Sequence, residues 1–169
     1  MMKNLASLQD FATARLDLRP LQPADAAALR DLSDDPAILS AIPFLSTPFM
    51  LSDAEDLIRR GESGRDCFFG GSTREPHRLV CVVGAHLREA GEIEIGYWVG
   101  TQYQGKGYAS EAGRAVISAL RHEFPAFRIV AECQPGNAAS WRVLEKLGFR
   151  PTGREGTRQG RSLLAIEAG

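Results

Sequence analysis

Polar and apolar residues alternate along Arg15-Leu16-Asp17-Leu18-Arg19, a period-two pattern that predicts a half-buried strand ended by Pro20. Pro23 opens a helix, where its missing N–H costs nothing, and Asp25 to Asp34 carries Ala26, Leu29 and Leu32 near helical spacing. Ser52-Asp53-Ala54-Glu55 fits a capping box, and Leu57-Ile58 with Gly61 beyond fits a short second helix. Gly, Arg and Ser dominate Gly61 to Pro76, which reads as loop around a short strand. Leu79 to Leu87 is a continuous apolar run and predicts a buried strand. Glu92 to Val99 alternates again, with Ile93, Ile95, Tyr97 and Val99 on one face and Glu92, Glu94 and Trp98 on the other.

The pattern then switches period. Ala109, Ala112, Ala115, Val116, Ala119 and Leu120 form one stripe of a helix, followed by Pro125. Phe127, Ile129, Ala131 and Cys133 share one face of the next strand. Asn137 is a suitable N-cap for a helix bearing Trp141, Leu144 and Leu147, and Gly148 a suitable residue just past its end. Gly148-Phe149-Arg150 leads into a strand, and Arg161 to Glu167 supplies a final one. The resulting order is strand, two helices, three strands, helix, strand, helix, two strands. It predicts a mixed α/β or α+β domain around one central sheet. No linker or repeat divides the 169 residues, so one domain over 1–169 is expected.

Composition narrows the classes. Hydrophobic residues at 44% and charged residues at 24% are ordinary for a soluble globular chain. A formal net charge of -1 provides no global field for a polyanion, so no nucleic-acid partner is expected. Cys67, Cys81 and Cys133 are odd in number and sparse, unlike a disulfide framework or a metal cluster. Met1 to Asp10 lacks the apolar run of a signal peptide, and no stretch of 18 apolar residues exists. A cytoplasmic location with no membrane partner and no metal is the expectation.

The informative segment follows Val99. A strand ends, about four residues pass, and Gln104-Gly105-Lys106-Gly107-Tyr108-Ala109 opens an amphipathic helix. The first turn of a helix has unpaired N–H groups and partial positive charge, both favourable to a phosphate. Glycine at 105 and 107 lets backbone approach an anion without an intervening Cβ, and Lys106 adds a charge. The third glycine of the dinucleotide fingerprint is missing, as is the Gly-Lys-Ser/Thr of a P-loop. On these residues alone, an anion cradle and a plain strand-to-helix turn remain two readings.

The wider arrangement resembles the GNAT superfamily of N-acetyltransferases, whose pyrophosphate signature is Gln/Arg-x-x-Gly-x-Gly/Ala. Gln104, Gly107 and Ala109 match it position by position. Glu94-Ile95-Gly96-Tyr97-Trp98-Val99 is similar to the strand leading into that signature, and Asn137 to Phe149 resembles the second block of the same superfamily. Thr13 to Pro20 is similar to the first strand of the RimJ/RimL-type ribosomal-protein N-terminal acetyltransferases. The resemblance runs from about Thr13 to Ile166 and is weakest over Ile42 to Leu79. It implies a mostly antiparallel sheet with two splayed central strands, Glu92–Val99 and Phe127–Cys133, and acetyl-CoA in the cleft between them. Backbone at Trp98 and Val99 would then pair with pantetheine, and an N–H near Val99 would face the acetyl oxygen. Gly105, Lys106, Gly107, Tyr108 and Ala109 would receive pyrophosphate, and Asn137 would lie near the pantetheine arm.

Acetyl transfer needs a neutral amine, and α-amino groups, with pKa of about 7.7–8.0, meet that need more readily than lysine at about 10.4. Glu94 is the candidate base, directly or through a water; its competing role is an exposed strand residue or part of a salt bridge. Many superfamily members place a tyrosine seven residues after the asparagine, where this chain has Leu144. Ser140 is the branch's usual replacement, and it reads either as the donor to the leaving sulfur or as a helix-surface serine bonding to backbone. Cys133 reads as a small buried hydrophobe rather than a nucleophile, and His86 as a satisfied structural histidine rather than a base. His77 and His122 read as loop and helix-surface residues, and Trp98 and Trp141 as packing. Arg154, Arg158 and Arg161 read as a solvated hairpin face. The expected partner is an amine, either a protein N-terminus or a small molecule, with the chain a monomer or homodimer. Loss of the tyrosine also admits a degenerate acyl-CoA sensor, and a glycine turn that binds no nucleotide an interaction module.

Overall fold

The computed structural model describes residues 4–167; residues 1–3 and 168–169, the ends of the expected domain, lie outside the described residues. Its strands are β1 (Phe11–Ala12), β2 (Leu16–Pro20), β3 (Asp66–Arg74), β4 (His77–Arg88), β5 (Glu92–Val99), β6 (Arg128–Cys133), β7 (Arg150–Glu155) and β8 (Ser162–Ile166). They form one sheet in the order β1-β2-β3-β4-β5-β6-β8-β7. Every neighbouring pair is antiparallel except β5–β6. That parallel pair is connected by α4 (Tyr108–Glu123), as a parallel connection requires a crossover.

Helices cover both faces. The helix α4 and α5 (Ala138–Lys146) pack Ala112, Val116, Leu120 and Leu144 against Ile93, Ile95, Ile129 and Ala131. The opposite face receives α1 (Ala26–Ser33), α2 (Pro36–Ala41) and α3 (Leu51–Gly61), whose Leu29, Ile38, Leu57 and Ile58 pack with Phe68, Val82 and Trp98. The period-two reading of β5 and β6 is therefore correct. Asn137 caps α5, and Gly148 beyond it adopts φ +97°, the left-handed conformation that glycine allows at a helix end.

Three elements depart from expectation. Helix α2 was not foreseen; Asp35 supplies its cap by accepting a 2.9 Å hydrogen bond from the Ala37 N–H, and Pro36 occupies its first position. Helix α3 starts at Leu51, so Ser52 lies inside it; the carboxylate of Asp53 accepts from the Met50 N–H at 2.8 Å and serves the terminus instead. Strand β3 runs through nine residues despite its glycines. At Gly70 and Gly71, a Cβ would lie 2.7 Å from Leu21 and 2.6 Å from Cys81, so neighbouring side chains fill the space the glycines vacate.

One feature of the topology creates the cleft. Strand β5 pairs with β4 along its full length, from Glu92↔Arg88 to Val99↔Cys81. Its pairing with β6 ends at Glu94↔Val130. From Ile95 to Val99 the edge of β5 facing β6 has no strand partner, and the two strands splay as the resemblance implied.

Candidate active site

Beyond β5 the chain makes a single 3₁₀ turn, Thr101–Tyr103, and reaches the glycine segment. The Gln104 side chain donates through Nε2 to the Val99 carbonyl at 3.1 Å, tying the turn to the strand it leaves. Gly105 and Gly107 have φ of +74° and +82°, conformations that any other L-residue adopts only under strain. A Cβ at Gly105 would meet nothing within 4 Å, so this backbone faces open space. Gly107 is the residue before α4, whose first N–H groups therefore point outward without helical partners. Gln104, Gly105, Gly107, Tyr108 and Ala109 line the cleft. The Lys106 ammonium instead lies 6.0 Å from the centre of the Tyr103 ring.

Arg15, read from sequence only as part of a strand, reaches this turn. Its guanidinium sits 4.5 Å over the Tyr108 ring and pairs with Glu111 at 2.7 Å. Glu111 also accepts from Thr13 Oγ1 at 2.6 Å and from the Arg15 N–H at 2.8 Å. Burial pushes the Glu111 carboxyl upward, but these hydrogen bonds outweigh it and hold it below its ordinary value.

The cleft has a volume of about 640 Å³ and continues through the splay from the α4 side to the α2 side. On the α4 side the Asn137 side chain accepts from the Ser140 N–H at 3.1 Å, the bond that caps α5. Ser140 Oγ lies 2.8 Å from the Tyr97 hydroxyl. Tyr97 was assigned to the core face and given no role; its hydroxyl, seen here, ends at the cleft. Burial pushes its pKa up to about 12, so it carries its proton at neutral pH. Cys133 is buried, its thiol pKa is raised by burial, and its Sγ donates to the Gln134 carbonyl at 3.4 Å.

On the α2 side, Glu94, Gly96 and Trp98 project from β5, opposite His86, Gly84 and Val82 of β4. Trp98 is a packing residue: its indole N–H donates to Ser33 Oγ at 2.9 Å. Glu94, 6% exposed, is held from two sides. Its Oε2 accepts from Arg88 Nε and Nη2, both at 2.7 Å, and its Oε1 from Arg158 Nη1 at 3.1 Å. Arg158 Nη1 also donates to Glu132 Oε2 at 2.9 Å, and Glu132 accepts from Thr157 Oγ1 at 2.7 Å. Burial pushes the Glu132 carboxyl up, but the bonds from Thr157 and the charge of Arg158 prevail and lower it. Arg161 donates to the Ala41 carbonyl at 3.2 Å. Arg154 is exposed, as expected of a solvated hairpin face, but Arg158 and Arg161 correct that expectation: they line the cleft, because two buried carboxylates and an open carbonyl on other elements draw them in. Their partners lie 64, 26 and 120 residues away, a separation no local pattern signals.

His86, 7% exposed, is engaged at one nitrogen only: Nδ1 lies 2.6 Å from Asp66 Oδ1. Hydrogen bonding to His86 leads the causes that lower the Asp66 carboxyl. The expectation of a fully satisfied structural histidine thus holds for half of the ring.

These carboxylates set the acid response. Glu111 and Glu132 have folded pKa values below their ordinary 4.5, and Asp66 below 3.8. A depressed folded pKa stabilises the fold above the unfolded value and loses that contribution as pH falls through the folded one. The urea midpoint is therefore expected to fall progressively as pH drops below about 4.5, and the Glu132→Gln variant to show a shallower decline.

Among the described residues, no helix is long and apolar enough to cross a membrane, and no group of three His, Cys, Asp or Glu side chains is placed to hold a metal ion.

Comparison with known proteins agrees with this geometry. Residues 15–150 match the model of the acetyltransferase (GNAT) domain family. The Bacillus subtilis protein described as uncharacterized N-acetyltransferase YnaD is 32% identical over 147 residues, covering 85% of this chain and 84% of its own. A GNAT-family acetyltransferase structure from Bacillus anthracis superposes with a TM-score of 0.79 at 26% identity, over 94% of this chain and 98% of that one. The structure of Mycobacterium smegmatis RimJ in complex with CoA-disulfide shares the fold, with a TM-score of 0.79 at 22% identity over 98% and 90% of the two chains. The splayed sheet, the glycine turn ahead of α4 and these matches place the chain in the GNAT acetyltransferase family.

Proposed function

We propose that the protein transfers the acetyl group of acetyl-CoA to a primary amine by direct attack, with no covalent acyl-enzyme. The observation that carries this reading is the cleft itself. It begins at a helix N-terminus with two left-handed glycines and passes through the sheet to a second chamber. The turn fits a pyrophosphate: its N–H groups are unpaired and no side chain fills the space at Gly105. Backbone from Trp98 to Val99 lies on the unpaired edge of β5 and would hydrogen-bond the pantetheine amides as an added strand does. An N–H near Val99 would stabilise the charge growing on the acetyl oxygen. The neutral amine enters from the α2 side, its nitrogen bonds to the acetyl carbon, and the carbon–sulfur electron pair leaves with sulfur.

Ser140 and Tyr97 would stabilise the leaving thiolate by hydrogen bonding. Leu144 occupies the place of the tyrosine expected on α5, and the Tyr97 hydroxyl, bonded to Ser140 Oγ, stands in from the facing strand. Glu94 lies on the amine side, but its paired guanidiniums favour an electrostatic role over the base role expected from sequence. Taking a proton would weaken both ion pairs. The acceptor is a protein N-terminus or a small amine.

Direct attack is tested by single-turnover transfer from acetyl-labelled coenzyme. Label should pass to the amine and never be trapped on the protein, and Cys133→Ala should keep turnover within about twofold, because burial holds the thiol in its un-ionised, weakly nucleophilic form. Label retained on wild-type protein and lost in Cys133→Ala would establish a ping-pong route instead.

A further inference from the structure

The second chamber has a floor made by two glycines. Gly84 and Gly96 face each other across β4 and β5, and a Cβ at Gly96 would meet nothing within 4 Å. At Gly84 the space is taken: a Cβ there would lie 2.9 Å from His86 Nε2 and 3.3 Å from the Phe68 ring. His86 Nε2 therefore leans over the glycine floor. Aromatic rings stand around it, with Phe68 at 5.3 Å and Phe44 at 6.3 Å from the imidazole, and Trp98 at 6.0 Å from Phe44. Phe44, His86, Gly84, Gly96 and Trp98 all line the cleft.

His86 is more than nine-tenths buried, and Nε2 has no hydrogen-bond partner among the described residues. Among the described residues no buried side-chain nitrogen or oxygen is both sealed from solvent and unpaired, so Nε2 opens onto the cleft that His86 lines. At the other end of the ring, Asp66 is bonded to Nδ1 and pairs with Arg60 at 3.5 Å. A carboxylate accepts; it fixes the proton on Nδ1 and leaves the lone pair on Nε2.

Building on the acetyl-transfer reading above, we propose that His86, aligned by Asp66, is the group that removes the proton from the attacking amine. As nitrogen bonds to the acetyl carbon, it becomes cationic and passes a proton to Nε2. The carbon–sulfur bond breaks with its electron pair on sulfur, the Ser140–Tyr97 hydroxyls donate hydrogen bonds to the thiolate, and the proton taken by Nε2 is released to solvent. The imidazolium formed is stabilised by Asp66 and by Glu94, which stands opposite His86 in the β4–β5 register. The charged groups around the ring are Asp66 on β3, Arg60 on α3, Glu94 on β5, and Arg88 and Arg158, both bound to Glu94. Those two arginines occupy the carboxylate, whereas Nε2 has an open lone pair, and this distinguishes the two candidates for the base. Asp66 touches no substrate; it is a positioning residue.

The test compares wild type with His86→Gln, whose amide still donates to Asp66 but takes up no proton at neutral pH. Acetyl-CoA affinity by calorimetry should be unchanged, kcat should fall about 10²–10³-fold, and the acid limb of kcat measured at saturating amine should disappear. Asp66→Asn should lower kcat while retaining an acid limb at altered pH. Because a substitution at this buried ring could impair folding, nitrogen NMR on wild-type protein at mildly alkaline pH provides an independent reading, with the Nδ1-protonated tautomer expected for His86. A His86→Gln variant within threefold of wild type, an unaltered acid limb, or an Nε2-protonated tautomer overturns the assignment. Wild-type protein that transfers no acetyl group overturns the acetyl-transfer reading together with it, so the two failures are distinguishable.

Discussion

Replacing Gly107 with tryptophan is expected to raise the Kd for acetyl-CoA at least 100-fold, equivalent to about 2.7 kcal/mol. Gly107 stands at φ +82° immediately before the first N–H groups of α4, and Gly105 beside it faces open space. An indole there covers the donors that a pyrophosphate would use. The substitution carries a backbone penalty of about 1–2 kcal/mol at positive φ, which a binding defect must be separated from. Gly91→Trp is the matched control: Gly91 has φ +74°, nothing within 4 Å of its Cβ position, and lies between β4 and β5 away from the cleft lining. Calorimetry should find normal binding in Gly91→Trp and none in Gly107→Trp at the same ligand concentration. Equal affinities in all three proteins would reduce the glycine turn to a connection.

The second large effect is at Arg158. Its Nη1 is shared between Glu94, 6% exposed, and Glu132, whose side chain is 2% exposed. Arg158→Met leaves two buried carboxylates facing each other with fewer partners. Arg88 still holds Glu94 and Thr157 still holds Glu132, so the expected loss is about 3 kcal/mol, the low end for a broken buried pair. Urea denaturation should also find more than half of this loss recovered in Arg158→Met/Glu132→Gln, which removes the surplus charge. Turnover of the single variant should fall about tenfold, because Arg158 and Arg161 carry the hairpin wall of the cleft on its α2 side. A loss below about 0.5 kcal/mol would make the bridge equivalent to an exposed surface pair.

The half of the cleft at the glycine turn was legible from sequence because it is built locally. Strand β5, the glycine turn and the start of α4 follow one another within 92–112, so period-two alternation, glycine pair and helical stripe occur in the order in which they act. Asn137 and Gly148 were legible for the same reason, since a cap is a property of its own turn. The half on the α2 side was not. His86 and Asp66 lie on adjacent strands 20 residues apart, and Glu94 meets Arg158 across 64. Each looks like an ordinary residue of its own segment until the sheet brings them together. Strand β3 was underread because its glycines resemble loop, although their missing Cβ atoms accommodate Leu21 and Cys81. Tyr97 was placed on the correct face, but alternation does not reveal that a core-facing ring ends in a hydroxyl at the cleft. Helix α2 was missed for want of length; Asp35-Pro36 was its only signal.

The most direct test of acetyl transfer is to incubate wild-type protein with acetyl-CoA and a panel of N-terminal peptides and small amines, following free thiol and product mass together. The account predicts one acetylated amine for every coenzyme thiol released, with at least one member of the panel consumed. Thiol released without any acetylated amine, or no thiol release at millimolar acetyl-CoA, would contradict it.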